Sequence, residues 1–129
     1  MDFNNNLPIY LQIADYVADK ILLKLWNEDE KIPSIRELAI ELEVTHNTVL
    51  RTFEHLQSKN IIYTKRGMGY YVEKNALALL NASKKEQFLK EELPSLFYRM
   101  NIIGFEINEL VEEFKKFNQK QSNNHENEL

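Results

Sequence analysis

The chain contains no cysteine, which removes disulfides and thiolate-bound zinc from consideration. No apolar run approaches the length needed to cross a bilayer, and the first residues do not read as a signal peptide, so a cytoplasmic protein without membrane partners is expected. No helical stretch carries histidine and carboxylate at metal-binding spacing. Nor is there a nucleophile beside a base or a phosphate-cradling loop, so the chain is not expected to be an enzyme or to hold a metal or cofactor. Glycine is scarce: two of the three sit within Arg66-Gly67-Met68-Gly69 and the third closes the turn Asn101–Gly104. The net charge of −4 argues mildly against nucleic-acid binding, but the placement of charge counts for more, because only a basic face must meet phosphate.

The chain's 129 residues suffice for one main core and a small appendage. The polar residues before Leu7 are expected to fray. Ile9, Ile13, Val17, Ile21 and Leu25 recur every fourth position, which predicts one amphipathic helix from about Pro8 to Leu25 with Trp26 at the core edge. Lys31-Ile32 is a candidate for brief strand pairing. Ser34 followed by Glu37 is a capping box, so a second helix begins at Ser34 and buries Ile35, Leu38, Ala39 and Leu42. After a turn at Glu43-Val44, Thr45 caps a third helix whose inward side is Val49, Phe53 and Leu56 and which ends near Lys59-Asn60. Ile61–Lys65 and Tyr70–Glu73 are rich in β-branched and aromatic residues and flank the glycines, which predicts a hairpin. Tyr70 and Tyr71 then face opposite sides. Residues 75–82 read as a connecting segment open to helix. Ser83 and Glu86 suggest another capping box, opening a helix to about Met100 that Pro94 kinks or breaks. A last helix spans about Glu106 to Asn118, and the polar tail 119–129 is expected to be disordered.

Two short helices joined tightly and followed by a hairpin make a winged helix-turn-helix: a mostly α fold with a small β-hairpin, and here with a C-terminal two-helix dimerisation appendage. The division expected is 7–75 for the winged unit, 76–118 for the helical segment and 119–129 for the tail. The physical use of the two-helix unit is to lay its second helix in the major groove of DNA, N-terminal residues foremost. Those residues are Thr45, His46, Asn47 and Thr48; Asn47 is suited to adenine, and His46 to guanine or phosphate. Arg51, one turn on, is placed for phosphate. Ser34 and Arg36 begin the preceding helix, where backbone N–H groups favour a phosphate oxygen. Lys65, Arg66 and Gly67 form the wing tip, suited to a narrow minor groove. Each has a blander alternative. Arg36 can pair with a surface glutamate, His46 and Arg51 can be solvated, and Lys65 and Arg66 can guard a hairpin edge. His55 is placed on the solvent side with no role.

At these motifs the chain resembles the DNA-binding domain of the GntR family of bacterial transcription regulators. The resemblance runs from about Leu7 to Lys74 and rests on Pro8-Ile9-Tyr10-Leu11-Gln12-Ile13, Ile32-Pro33-Ser34-Ile35-Arg36-Glu37-Leu38-Ala39, Val44-Thr45-His46-Asn47-Thr48-Val49 and Arg66-Gly67-Met68-Gly69-Tyr70-Tyr71-Val72. The short C-terminal part is similar to that of the YtrA-like subfamily. The resemblance implies a homodimer on a two-fold-related double-stranded DNA operator, usually as a repressor, with Arg36, the start of the third helix and Arg66-Gly67 on the DNA. It leaves open a small-molecule effector of unidentified chemistry. The family commonly has glycine where this chain has Lys24, Asp29, Glu43 and Asn60, which marks these four as candidates for positive φ. Position 46 is often arginine or proline in relatives, and position 50 often arginine, so a relative's operator is not expected to transfer.

Phe88, Leu93, Leu96, Phe97, Met100, Ile107, Leu110, Val111 and Phe114, with further apolar neighbours, exceed what two isolated helices can hide. They either fold back on the winged unit or pair with a second copy. Pairing is the expectation, because a two-fold dimer matches a two-fold DNA site. A protein-interaction module is the rival function; it would show no salt-sensitive affinity for DNA.

Overall fold

Ser34 and Glu37 fix where the second helix starts. In a computed structural model, which describes residue 3 and residues 6–128 (side chains to residue 124), the Ser34 Oγ accepts from the Glu37 N–H at 3.1 Å while the Glu37 carboxylate accepts from the Ser34 N–H at 3.2 Å. The elements run α1 (Ile9–Leu22), α2 (Ile35–Leu42), α3 (His46–Ser58), β1 (Ile62–Lys65), β2 (Gly69–Val72), α4 (Ala76–Gln87), a π-helical turn (Phe88–Glu92), α5 (Leu93–Ile103) and α6 (Ile107–Glu128). This mostly helical chain with its antiparallel hairpin is a winged helix-turn-helix. The fraying expected of residues 1–6 falls mainly outside the described residues.

The chain divides into two compact units after Lys85. In the first, α3 packs against α1 and α2. Ile13, Val17 and Ile21 of α1, Leu38 and Leu42 of α2, and Val49, Phe53 and Leu56 of α3 are buried together. The hairpin pairs Ile62 with Val72 and Lys65 with Gly69, which turns Ile62 and Val72 into that core. A third, minimal strand joins it: Lys31 bridges to Tyr71, and the Ile32 N–H donates to the Tyr70 carbonyl at 3.0 Å. Tyr70 meets Phe53 edge-on at 4.7 Å, whereas Tyr71 stacks on Tyr63 at 5.8 Å, so the two tyrosines do face opposite ways. Ala76 and Leu80 also enter the core, so residues 76–85 belong with the winged unit instead of the helical segment that follows.

α1, α2, α3 and α5 stop by one device. Lys24, Glu43 and Asn60 have φ of 61°, 57° and 62°, and the residue after each donates back five positions: Leu25 to Lys20, Val44 to Ala39, Ile61 to Leu56. Gly104, with φ 70°, ends α5 the same way through Phe105 and Met100. Asp29 is left-handed too, so all four positions flagged as glycine-like adopt positive φ. The stop at Lys24 also shortens α1: it ends at Leu22, not Leu25, and Leu25 is exposed.

Two further expectations change, and one holds. Ser83 lies inside α4 and opens no helix, because strong helix formers on both sides carry the helix past it. Pro94 does break the pattern, as expected. It has no N–H for the carbonyl four residues back, and the π turn precedes it while α5 begins with it near its first position. Finally α6 continues to Glu128 instead of ending near Asn118. Polar composition alone does not end a helix: residues 119–128 contain neither glycine nor proline. Leu129 lies outside the described residues.

An L side chain at left-handed φ costs about 1 kcal/mol relative to glycine. Glu43→Gly is therefore expected to raise stability by roughly 1 kcal/mol, read as a higher Tm or denaturant midpoint; an unchanged or lower Tm would contradict the turn.

Candidate nucleic-acid interface

The N-terminal turn of α3 is capped from within its own sequence. Thr45 Oγ1 accepts from the Thr48 N–H at 3.3 Å, and the two hydroxyl oxygens lie 2.8 Å apart. Thr45, His46 and Asn47 are exposed and Thr48 half-buried, so the end of the helix presents the side chains of His46 and Asn47 beside the engaged hydroxyl of Thr45. Arg51 is exposed one turn later. Asn47, Thr48 and Arg51 line a shallow groove of about 330 Å³ with Pro8, Ile9 and Tyr10 at the start of α1. Three of the expected residues thus come together, on a surface that includes the N-terminus of α1, while Thr45 and His46 do not line this groove.

Ser34 and Arg36 stand at the start of α2, where Ser34 is half-buried in its capping box and Arg36 is exposed. The Ser34 backbone N–H, then its hydroxyl, hold the Glu37 carboxyl below its ordinary value, and the charge of Lys31 adds to this against a small burial effect. Among the described residues Arg36 has no ion pair, so the glutamate partner considered from sequence is not formed.

The wing tip is built on left-handed backbone. Gly67 has φ 74° and Gly69 φ 113°, and the Met68 N–H closes the turn on the Lys65 carbonyl at 2.9 Å. Lys65, Arg66, Gly67 and Met68 are exposed there. The Lys65 ammonium rests 4.3 Å from the centre of the Tyr71 ring. Behind it the Tyr63 hydroxyl donates to Asp29 at 2.8 Å, a bond that pushes its pKa up to about 12 and ties the Asn27–Glu30 loop to the hairpin.

Three residues were not assigned to this surface from sequence. Lys31 reaches the wing: a Cβ placed on Gly69 would meet the Lys31 Cε at 3.1 Å, so the bare glycine makes room for that side chain. Tyr10 lies under Arg51, its ring centre 4.0 Å from the guanidinium carbon. His55, expected free in solvent, is half-buried with its ring edge-on to Tyr10 at 6.1 Å. Periodicity within one helix carries no signal for such contacts between elements. Among the described residues no group of histidines and carboxylates is arranged to hold a metal ion, and no helix is long and apolar enough to cross a membrane.

Residues 9–72 match the family model described as bacterial regulatory proteins, gntR family. The HTH-type transcriptional repressor YtrA of Bacillus subtilis is 33% identical over 90% of this chain and 88% of its own length. A solved GntR-family transcriptional regulator from Bacteroides thetaiotaomicron superposes with a TM-score of 0.72 at 45% identity, over 88% of this chain and 99% of that one. The DNA-binding domain of AraR, solved in complex with operator ORX1, is 26% identical with a TM-score of 0.52 over 55% of this chain and 92% of that one.

Because the folded-state pKa of Glu37 is depressed, its contribution to stability is complete above the ordinary carboxyl value of 4.5 and is lost as pH falls through the lower folded value. Glu37→Gln is expected to be less stable than wild type at neutral pH, with the gap closing in acid. Urea midpoints at several pH values would show this, and a gap constant with pH would remove the charge from the capping box.

Proposed function

This chain belongs to the gntR family of bacterial regulatory proteins and is a DNA-binding transcription regulator, and on that premise we propose that it acts in the cytoplasm as a homodimeric repressor. Each copy would present the helix at 45–59 and the wing at 65–70 to one half of a two-fold-related operator. Occupancy of the operator would block polymerase by bulk. Asn47 and His46 would meet base edges, Arg36 and Arg51 phosphates, and Arg66 the minor groove.

The observation that carries the dimer is the state of the second unit. Met100 is its one buried hydrophobic residue among those described, while Phe88, Phe97, Ile107, Val111, Phe114 and Phe117 are all more than 40% exposed. On α6 the spacing of Ile107, Leu110, Val111 and Phe114 sets these residues in one stripe. Covering a large apolar side chain is worth roughly 1.5–3 kcal/mol, so several of them supply a strong drive to associate. A second copy offers the same stripe and gives closed two-fold symmetry. The name of the relative YtrA supports the repressor assignment.

Two measurements test this. In sedimentation the wild type should run at twice the 15.3 kDa chain mass, and Phe114→Glu with Val111→Asp should shift it toward one chain mass; a monomeric wild type contradicts the proposal. Selection of genomic fragments by the purified protein should return paired half-sites, bound with an affinity that falls steeply as salt rises. On such a fragment Arg66→Ala should cost about 1–3 kcal/mol, and undiminished affinity would take Arg66 out of the contact.

A further inference from the structure

Arg51 is held by a ring and not by a carboxylate. Its guanidinium carbon lies 4.0 Å from the centre of Tyr10, and among the described residues it has no ion pair. The difference matters for a residue that is to meet phosphate. A carboxylate would fix the side chain but cancel its charge; an aromatic face fixes it and leaves the charge and the N–H groups at its edge available.

Tyr10 is itself anchored to α3. Its carbonyl accepts from the Thr52 hydroxyl at 2.8 Å, and Thr52 is fully buried. The edge contact with His55 flanks its ring one helical turn beyond Arg51. The first turn of α1 is thus joined to the DNA-facing helix by a backbone bond and by a ring set against both Arg51 and His55.

We propose that Tyr10 is a positioning residue for DNA binding: it confines the Arg51 side chain over the groove formed with Pro8 and Ile9, so that less rotamer freedom is lost when Arg51 meets a phosphate. This rests on the operator reading above, in which Arg51 is a backbone contact. It adds a residue from outside the helix-turn-helix whose own chemistry toward DNA is not used.

The test uses the full chain and a genomic duplex selected by the wild type, with Tyr10→Phe, Tyr10→Leu, Arg51→Gln and the Tyr10→Leu/Arg51→Gln double variant. Tyr10→Phe keeps the ring and should bind as wild type. Tyr10→Leu should bind roughly two- to five-fold more weakly, the range expected of an exposed cation–π contact. Arg51→Gln should lower the slope of log affinity against log salt by about one, and adding Tyr10→Leu to it should cost nothing further. A role confined to packing would instead give equal losses with and without Arg51, and that result overturns the proposal. In the free wild type the Arg51 Nε–H proton should be shielded by the ring in NMR spectra and lose that shift in Tyr10→Leu. An unshielded wild-type signal overturns it without recourse to any variant. A wild type that binds no duplex overturns the operator reading and this proposal together, whereas additive losses on a bound duplex overturn this proposal alone.

Discussion

One stripe of α3 decides what the winged unit can do. Val49 and Phe53 have no solvent exposure and Leu56 almost none, and these residues pack the helix against α1 and α2. Thr52 lies in the same stripe; its hydroxyl has the carbonyls of Tyr10 and Thr48 within 2.8 and 3.1 Å. A helix that buries one face fixes the direction of the other. Turning α3 by a single position, roughly 100°, would drive polar side chains such as Asn47 and Arg51 toward the core. The address of every exposed residue on this helix is therefore set by the apolar side, and the burial of Phe53 against Tyr70 extends the same constraint to the hairpin.

Short helices must also stop where the next element needs them. Lys24, Glu43 and Asn60 each accept a left-handed backbone at a helix end, and in each case the next residue donates back across the last turn. The carbonyls so satisfied are ones that would otherwise be left open. After Asn60 the chain enters the core at once with Ile61 and Ile62, and after Glu43 it reaches the half-buried Val44 and the cap of α3. The conformational strain is local, and the core contacts that follow offset it. This is why the fold keeps its turns with so little glycine.

The two units differ in how far they satisfy themselves. The winged unit has a core drawn from every one of its helices, and among the described residues no buried side-chain polar atom lacks a partner. The second unit buries Met100 and leaves a series of aromatic and aliphatic side chains in water. Apolar exposure on this scale is the mark of a surface that associates, and it is the ground for the proposed dimer. At the surface proposed to meet DNA, by contrast, two of the basic residues are steadied individually: Arg51 by Tyr10 and Lys65 by Tyr71. Both contacts hold a cation in place without neutralising it.

What the sequence determined by itself was most of what near neighbours govern. The Ser34–Glu37 box, the Thr45 cap, the glycine-closed hairpin and the apolar stripes of α1 to α3 follow from spacings of a few residues, and they were legible because their energetics are local. The same local pattern misled at Ser83 and Glu86, where surrounding helix formers made a cap unnecessary, and polar composition misled at the end of α6. Only the tertiary structure decided which residues from distant elements share a surface. Tyr10 under Arg51, His55 against Tyr10 and Lys31 beside Gly69 are separated by tens of residues in the chain. No periodicity encodes such pairs, because they arise from how α3 sits on α1 and how the Lys31 bridge meets the hairpin. That arrangement is set by the buried volume of the whole core and not by any one segment.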